Sequence, residues 1–222
     1  MSDQPDVVLA ASPFCFFGFD PLTAYRYLGQ AGIRHVEVPA IPARQAIGWG
    51  LTTFAPELMD DADVAALRDR LGELGLEPVT VAAFCDVLDA SQADALRRRV
   101  DFAVKLGATT VIADAGERAE GSALWPRTIA AVRELGHYAA GAGVRLALET
   151  HEGATRTGRI ASRLLEEIDH PAVGLNYDTA NVIYYNGDVD PALDVREVAD
   201  RVLHVHLKDT TGGKGEWRFC AL

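Results

Sequence analysis

Three residues with metal-binding side chains follow one another at nearly equal intervals in the second half of the sequence. Glu149 ends the apolar run VRLALE, Asp178 ends VGLNYD, and His206 lies near the end of LHVHLKD. The intervals of 29 and 28 residues match the length of one strand–helix unit. Two carboxylates and an imidazole, without cysteine, suit Mn²⁺, Mg²⁺, Co²⁺ or Zn²⁺. The pattern predicts a site for one divalent ion of undetermined identity.

These side chains can converge only if the three runs are neighbouring parallel strands. Such strands lie about 4.8 Å apart, and alternate residues share a face, so Ala147 and Glu149 point the same way. Two buried carboxylates so close together are costly unless a cation neutralises them. The competing interpretation makes Glu149 and Asp178 helix caps and His206 a hydrogen-bonded core histidine. The matched strand ends favour the metal site.

The rest of the chain supplies the elements that would position this site. Short apolar runs alternate with helical patterns, which predicts a parallel sheet in an α/β protein. Strands are predicted at residues 7–10, 33–38, 78–84, 109–113, 144–149, 173–178 and 203–207. Helices are predicted between them, with start signals at Asp20-Pro21, Ser91 and Asp190-Pro191 and a terminating glycine at Gly75.

The sheet is expected to close as a TIM (β/α)8-type barrel in a single domain of residues 1–222. An open doubly wound sheet would carry a phosphate loop, but no GxxxxGK[ST] occurs and Gly141-Ala142-Gly143 precedes a strand. Only 13 residues follow Asp209, so the barrel is expected to lack its eighth βα unit. A gap between strands one and seven would expose two edges, which predicts either instability or self-association as a homo-oligomer if nothing fills the gap.

Composition argues against several classes of partner. A net charge of −11 and a pI near 4.9 disfavour binding to nucleic acid or to anionic membranes. The three cysteines are dispersed, which is typical of a reducing compartment. No secretory signal and no apolar run of membrane-spanning length are found, so we expect a cytoplasmic protein.

Around the candidate ligands the sequence resembles a known superfamily. The stretches LALETHEG, VGLNYDTAN and HVHLKD, with weaker echoes in FAVKLGATTVIADAG and HVEVP, resemble the xylose isomerase-like TIM barrels of the sugar phosphate isomerase/epimerase group. The resemblance implies a role in carbohydrate metabolism and a metal, often manganese, held by Glu149, Asp178, His206 and a second glutamate from an eighth strand. That glutamate has no counterpart here, since Glu216 comes too early.

The activity that the resemblance implies is proton transfer on a small carbohydrate. The expected enzyme is a divalent-metal-dependent isomerase or epimerase of a small sugar, sugar phosphate or hydroxy-ketone, working through a metal-stabilised enediolate. Glu149 would be both a ligand and one half of the acid–base pair. A metal-dependent dehydratase of an inosose- or shikimate-like substrate is the alternative. An abasic-site endonuclease and a non-catalytic remnant are remoter alternatives.

Further polar and aromatic residues are candidates for binding the substrate. They are His151, Asn181, Lys208, Asp209 and Glu37. Many epimerase-type members carry a histidine where this chain has Asn181, and an amide cannot shuttle a proton. Trp49, Trp125 and Phe54 either form an apolar wall of the pocket or pack ordinarily, and the sequence leaves both interpretations open.

Overall fold

The centre of the fold is one curled sheet of parallel strands. The computed structural model describes residues 7–16, 18–116, 120–220 and 222. The seven strands lie side by side in chain order, all parallel. They are β1 (Ala10–Ala11), β2 (His35–Pro39), β3 (Glu77–Asp86), β4 (Thr110–Asp114), β5 (Arg145–Glu149), β6 (Val173–Asp178) and β7 (Val202–His206). The parallel order confirms the barrel-type fold expected from the sequence.

Helices connect these strands, and a small hairpin follows the last of them. The helices are α1 (Pro21–Gln30), α2 (Ala43–Gly48), α3 (Asp61–Glu73), α4 (Ala90–Leu106), α5 (Trp125–Gly141), α6 (Gly158–Ile168), α7 (Thr179–Asn186) and α8 (Pro191–Asp194). Strands β8 (Asp209–Thr210) and β9 (Phe219–Cys220) pair antiparallel. No helix in the described part of the chain is both long enough and apolar enough to span a membrane.

Local signals explain where several helices begin and end. The Asp20 carboxylate accepts the Thr23 backbone N–H at 3.0 Å, and Pro21 occupies the first helical turn of α1, as predicted. Gly75 adopts a positive φ of 70° just beyond α3, which a residue with a side chain would resist. The start signal predicted at Ser91 falls on a side chain outside the described part of the structure.

The two faces of each strand carry different residues. Leu146 and Leu148 face the helices and belong to the hydrophobic core between sheet and helix layer. Ala147 and Glu149 face the other way, into the barrel. The register sets Glu149 beside Asn176 of β6 and Asp178 beside His206 of β7. The alternation and register expected for the three candidate ligands are therefore present.

Several elements differ from the sequence expectation. The helix predicted to run from Asp190-Pro191 through Val198 is wrong, because α8 stops at Asp194 and two short 3-10 turns follow. Asp194 Oδ2 accepts hydrogen bonds from Gly158 N and Tyr177 Oη, which tie this point of the chain to α6 and β6. Helices α2 and α7 and the β8–β9 hairpin were not predicted, and β1 spans Ala10–Ala11 where a strand over residues 7–10 was expected. Among the described residues β1 and β7 form the sheet edges, and self-association through them stays a prediction.

A glycine in β6 tests how tightly β7 is seated against its neighbour. A Cβ built at Gly174 would lie 2.5 Å from both Arg201 O and Leu203 Cγ. We expect Gly174→Ala to destabilise the protein by about 1–3 kcal/mol through overpacking, measured by urea unfolding. Gly141→Ala is the control, since no atom lies within 4 Å of its added Cβ. Equal midpoints for the two variants would contradict this packing.

Candidate metal centre

Asp178 uses its two carboxylate oxygens for two different tasks. Oδ1 caps α7 by accepting the backbone N–H groups of Ala180 at 3.1 Å and Asn181 at 3.0 Å. Oδ2 faces the barrel interior, 2.5 Å from Lys208 Nζ and 3.8 Å from His206 Nδ1. The helix-cap and metal-ligand interpretations of Asp178 are therefore compatible, because each needs a different oxygen.

Glu149, Asp178 and His206 come together as the sequence predicted. Each offers one ligand atom, and these atoms all lie within 4.8 Å of one another. Glu149 and Asp178 are buried, and the His206 side chain is 12% exposed. Asp178 Oδ2 is buried and forms an ion pair with Lys208 Nζ. An oxygen-rich donor set of two buried carboxylates and one imidazole fits a hard-to-borderline divalent cation.

His206 lies between two buried glutamates. Its Nε2 is 3.0 Å from Glu37 Oε2, and its Nδ1 is 3.2 Å from Glu149 Oε1. Burial alone would lower the pKa of His206, but the carboxylates of Glu37 and Glu149 raise it to about 10. Burial alone would raise the pKa of Glu37, but the neighbouring His206 imidazolium lowers it to about 2. With no metal bound, the ring is therefore the cation that these carboxylates share.

Lys208 supplies a second positive charge at the same cluster. Burial opposes its charged form, but Asp178 and Glu149 raise the pKa of its ammonium. Lys208 therefore pairs with Asp178. The neighbouring candidate, Asp209, is exposed on β8, where its Oδ1 accepts the N–H of Thr210. Of these two adjacent candidates, the structure brings only Lys208 to the cluster.

Threonine and asparagine side chains hold the backbone of the cluster in place. Thr155 Oγ1 donates to Glu149 O at 2.6 Å, and Asp178 N donates to Thr150 Oγ1 at 2.6 Å. Asn181 Nδ2 donates to Glu149 Oε1 at 3.3 Å and to Thr150 O at 3.0 Å. Asn181 is thus a direct partner of a candidate ligand. The two threonines gave no sequence signal beyond their position next to the strand ends.

Two further histidines near the site have different surroundings. His204 Nδ1 lies 2.9 Å from Asn176 Oδ1, and burial lowers its pKa to about 4, so it is a neutral supporting ring. His151 lies against Tyr185, with the phenol oxygen 2.5 Å from its Nε2. Burial raises the pKa of Tyr185 above its ordinary value. Tyr185 was missed because α7, which carries it, was not predicted.

The geometry predicts how the site responds to loss of one carboxylate. We expect Asp178→Asn to weaken binding of Mn²⁺ by more than about tenfold, because a ligand charge is lost while a capping oxygen remains. Isothermal titration calorimetry on the full chain measures this. Asp188→Asn, in an exposed aspartate beyond α7, is the control and should bind as the wild type does. Equal affinities for all three proteins would contradict the site.

Metal binding should also release protons. A ligating imidazole must be neutral, whereas the pKa of His206 in the metal-free chain is raised to about 10. Burial also raises the pKa of Glu149 to about 7. At neutral pH an arriving ion therefore displaces the His206 proton and part of a second proton from Glu149, and its apparent affinity should rise with pH by about tenfold or more per unit. Calorimetry in buffers of different ionisation enthalpy counts the protons released. Binding heats that do not depend on the buffer would contradict this expectation.

Known proteins with similar sequences and folds place these observations in a family. The chain is 33% identical over 93 residues to an inosose dehydratase of Lactiplantibacillus plantarum. The aligned stretch covers 41% of this chain and 30% of that enzyme. It is 28% identical over 207 residues to a ketose 3-epimerase of Arthrobacter globiformis, covering 82% of this chain and 68% of that protein. This chain thus aligns with less than a third of the inosose dehydratase.

A solved structure extends the likeness to the whole fold. A xylose isomerase-like TIM barrel protein from Mycobacterium smegmatis, in complex with magnesium, superposes with a TM-score of 0.73 at 20% identity. The superposition covers 91% of this chain and 76% of that one. The family profile described as xylose isomerase-like TIM barrel matches residues 26–220. The chain therefore belongs to the xylose isomerase-like TIM-barrel family.

Proposed function

We propose that this chain is a divalent-metal-dependent isomerase or epimerase of a small sugar, sugar phosphate or hydroxy-ketone. The observation that carries the proposal is the buried cluster of Glu149, Asp178 and His206 at the carboxyl ends of three adjacent parallel strands. Active sites of α/β barrels lie at that end of the sheet. The sugar epimerases and dehydratases among the similar proteins support an enzyme of this class.

The metal would be held by Glu149, Asp178 and His206. A bound divalent ion would supply Lewis-acid polarisation of a substrate carbonyl, which makes a neighbouring C–H group acidic. Mn²⁺, Mg²⁺, Co²⁺ and Zn²⁺ all fit the donor set, and the magnesium complex of the Mycobacterium smegmatis protein supports a hard cation.

The chain's own residues would position the substrate and move its proton. Glu149 would accept a proton from the carbon next to the carbonyl, with Asn181 holding its Oε1 in place. Glu37 keeps His206 oriented through Nε2, which leaves Nδ1 facing Glu149 and Asp178. Lys208, once an ion has taken Asp178 Oδ2, would be free to bind a negatively charged or hydroxyl oxygen of the substrate.

Other candidates would recognise substrate hydroxyl groups. Asn181 can donate and accept hydrogen bonds but cannot change its protonation, so it would bind a hydroxyl and take no part in proton transfer. His151, fixed by the Tyr185 phenol, would present its ring from the loop that follows β5. Glu37 is 3% exposed, so any substrate contact it makes would accompany its contact with His206.

A dehydratase of an inosose-like substrate is the second candidate. Its support is the 33% identity to the Lactiplantibacillus plantarum inosose dehydratase. Both reactions begin with removal of a proton beside a polarised carbonyl. They diverge afterwards, because the dehydratase expels a hydroxyl group and leaves an enone, whereas the epimerase delivers a proton to the opposite face of the same carbon.

The shared first step gives the decisive experiment. In D₂O, we expect the Mn²⁺-loaded full chain to catalyse exchange of the proton next to the carbonyl of a ketose or inosose for deuterium. Proton NMR monitors this exchange as the loss of the corresponding signal. Glu149→Gln should slow this exchange by at least about 100-fold, because it removes the proton acceptor. Glu166→Gln, in an exposed glutamate on the outer face of α6, is the matched control and should retain the wild-type rate.

The product then separates the two candidates. An ultraviolet absorbance from an enone would favour the dehydratase, and a second ketose stereoisomer without that absorbance would support the epimerase. Exchange that persists in Glu149→Gln at the wild-type rate would contradict the assigned role of Glu149. Absence of exchange with every ketose and inosose tested would contradict the proposed function.

A further inference from the structure

Strand β3 contains an irregularity close to the candidate metal centre. Its pairing with β4 is regular up to Ala82, opposite Ile112, but resumes only at Asp86, opposite Asp114. Four steps along β3 therefore match two along β4, so two extra residues are accommodated between these points. Phe84 lies in this bulge with a φ of +45°. A bulky residue rarely adopts that left-handed conformation, which is strained and persists only where the surroundings enforce it.

The Phe84 ring faces the barrel interior. Val81, Ala83 and Cys85 belong to the core between the sheet and the helices. The alternate residues face the barrel interior, and the Phe84 ring accordingly lies 6.3 Å, centroid to centroid, from the imidazole of His206. Bulges commonly occur beside active sites. Here the side chain that faces the interior is an apolar ring next to a cluster of charged groups.

A second aromatic residue extends this surface towards solvent. The Trp49 ring lies 6.2 Å from the Phe84 ring in an edge-on arrangement and is 48% exposed. Trp49 follows α2 in the segment between β2 and α3. The other two aromatics singled out in the sequence lie elsewhere: Trp125 is buried on α5, where its Nε1 donates to Glu167, and Phe54 packs against the core. Trp49 and Phe84 therefore form a continuous aromatic wall leading to His206.

We propose that Phe84 and Trp49 form a stacking wall that binds the C–H face of a ketose longer than three carbons while its oxygen atoms face the metal cluster. The inference rests on the proposed function and assigns these two residues as specificity determinants of that site. Aromatic faces carry partial negative charge, which suits the polarised C–H groups of a sugar. The strain at Phe84 is then the conformational cost of presenting the ring to the substrate.

The test compares a long and a short ketose on the Mn²⁺-loaded full chain. We expect Phe84→Gly to weaken binding of D-fructose by about 3–10-fold and to leave binding of dihydroxyacetone unchanged, since three carbons do not reach beyond the metal cluster. Trp49→Ala should act in the same direction, and Phe84→Tyr should restore wild-type binding. Calorimetry gives the dissociation constants. In saturation-transfer NMR, the transfer from aromatic protons of the protein to the C–H protons of the sugar should be weaker in Phe84→Gly than in the wild type.

Controls separate this inference from the proposed function. The affinity for Mn²⁺ itself should be equal in wild type and Phe84→Gly, and Tyr138→Ala, in a surface aromatic of α5, should bind both ketoses normally. If Phe84→Gly binds D-fructose as tightly as the wild type does, the stacking-wall inference is contradicted and the proposed function is not affected. A wild-type chain that binds Mn²⁺ but neither ketose would overturn the proposed function together with the wall.

The backbone strain at Phe84 can be measured separately from sugar binding, by comparing the melting temperatures of two variants. Phe84→Gly and Phe84→Ala both remove the ring, but only glycine adopts a positive φ without penalty. We expect Phe84→Gly to melt about 2–4 °C above Phe84→Ala. Equal melting temperatures would show that the bulge stores no strain, and the argument that the fold enforces this ring position would fall.

Discussion

Charge compensation at the open end of the barrel is the constraint on which the rest of the site depends. Glu37, Glu149 and Asp178 are almost fully buried within a few ångströms of one imidazole. Isolated carboxylates in such a place are strongly unfavourable, and they persist only with a cation among them. In the metal-free chain His206 and Lys208 fill that role. A divalent ion would take over the same electrostatic task with two charges on one atom.

This constraint is met by small polar residues that hold the two strand ends together. Helix α7 follows β6 without a connecting loop, because Asp178 ends the strand and caps the helix at once. Thr150 and Asn181 bind the backbone and side chains of both strand ends, so a shift of one ligand is resisted by its neighbours. The ligands are thus preorganised by hydrogen bonds that themselves never touch a metal.

The aromatic side of the mouth complements this polar side. A small carbohydrate presents hydroxyl and carbonyl oxygens together with patches of C–H groups, and it needs both kinds of surface to be held in one orientation. The Phe84 ring lies 6.3 Å from the imidazole of His206, and Phe84 stands in a bulge with an unfavourable backbone angle. Strain of this kind commonly collects at functional sites, where the rest of the fold compensates for it.

The linear sequence was sufficient to predict the parallel α/β sheet, most strand positions and the convergence of Glu149, Asp178 and His206. These features follow from residue type and from the fixed periods of strands and βα units, which are local properties. Glu37 was named as a candidate, but its contact with His206 joins residues from strands at distant points of the chain.

Only the tertiary structure decided the remaining features, because each depends on contacts between distant segments. The helix predicted after Asp190 was cut short when Asp194 bound Gly158 and Tyr177. The two oxygens of Asp178 could be assigned to cap and cluster only once α7 and β7 stood on either side of it. Phe84 carries no sequence signal for a positive φ, since that conformation is imposed by the mismatch in length between β3 and β4. Local pattern thus determined which residues could do chemistry, and the curl of the sheet determined which of them meet.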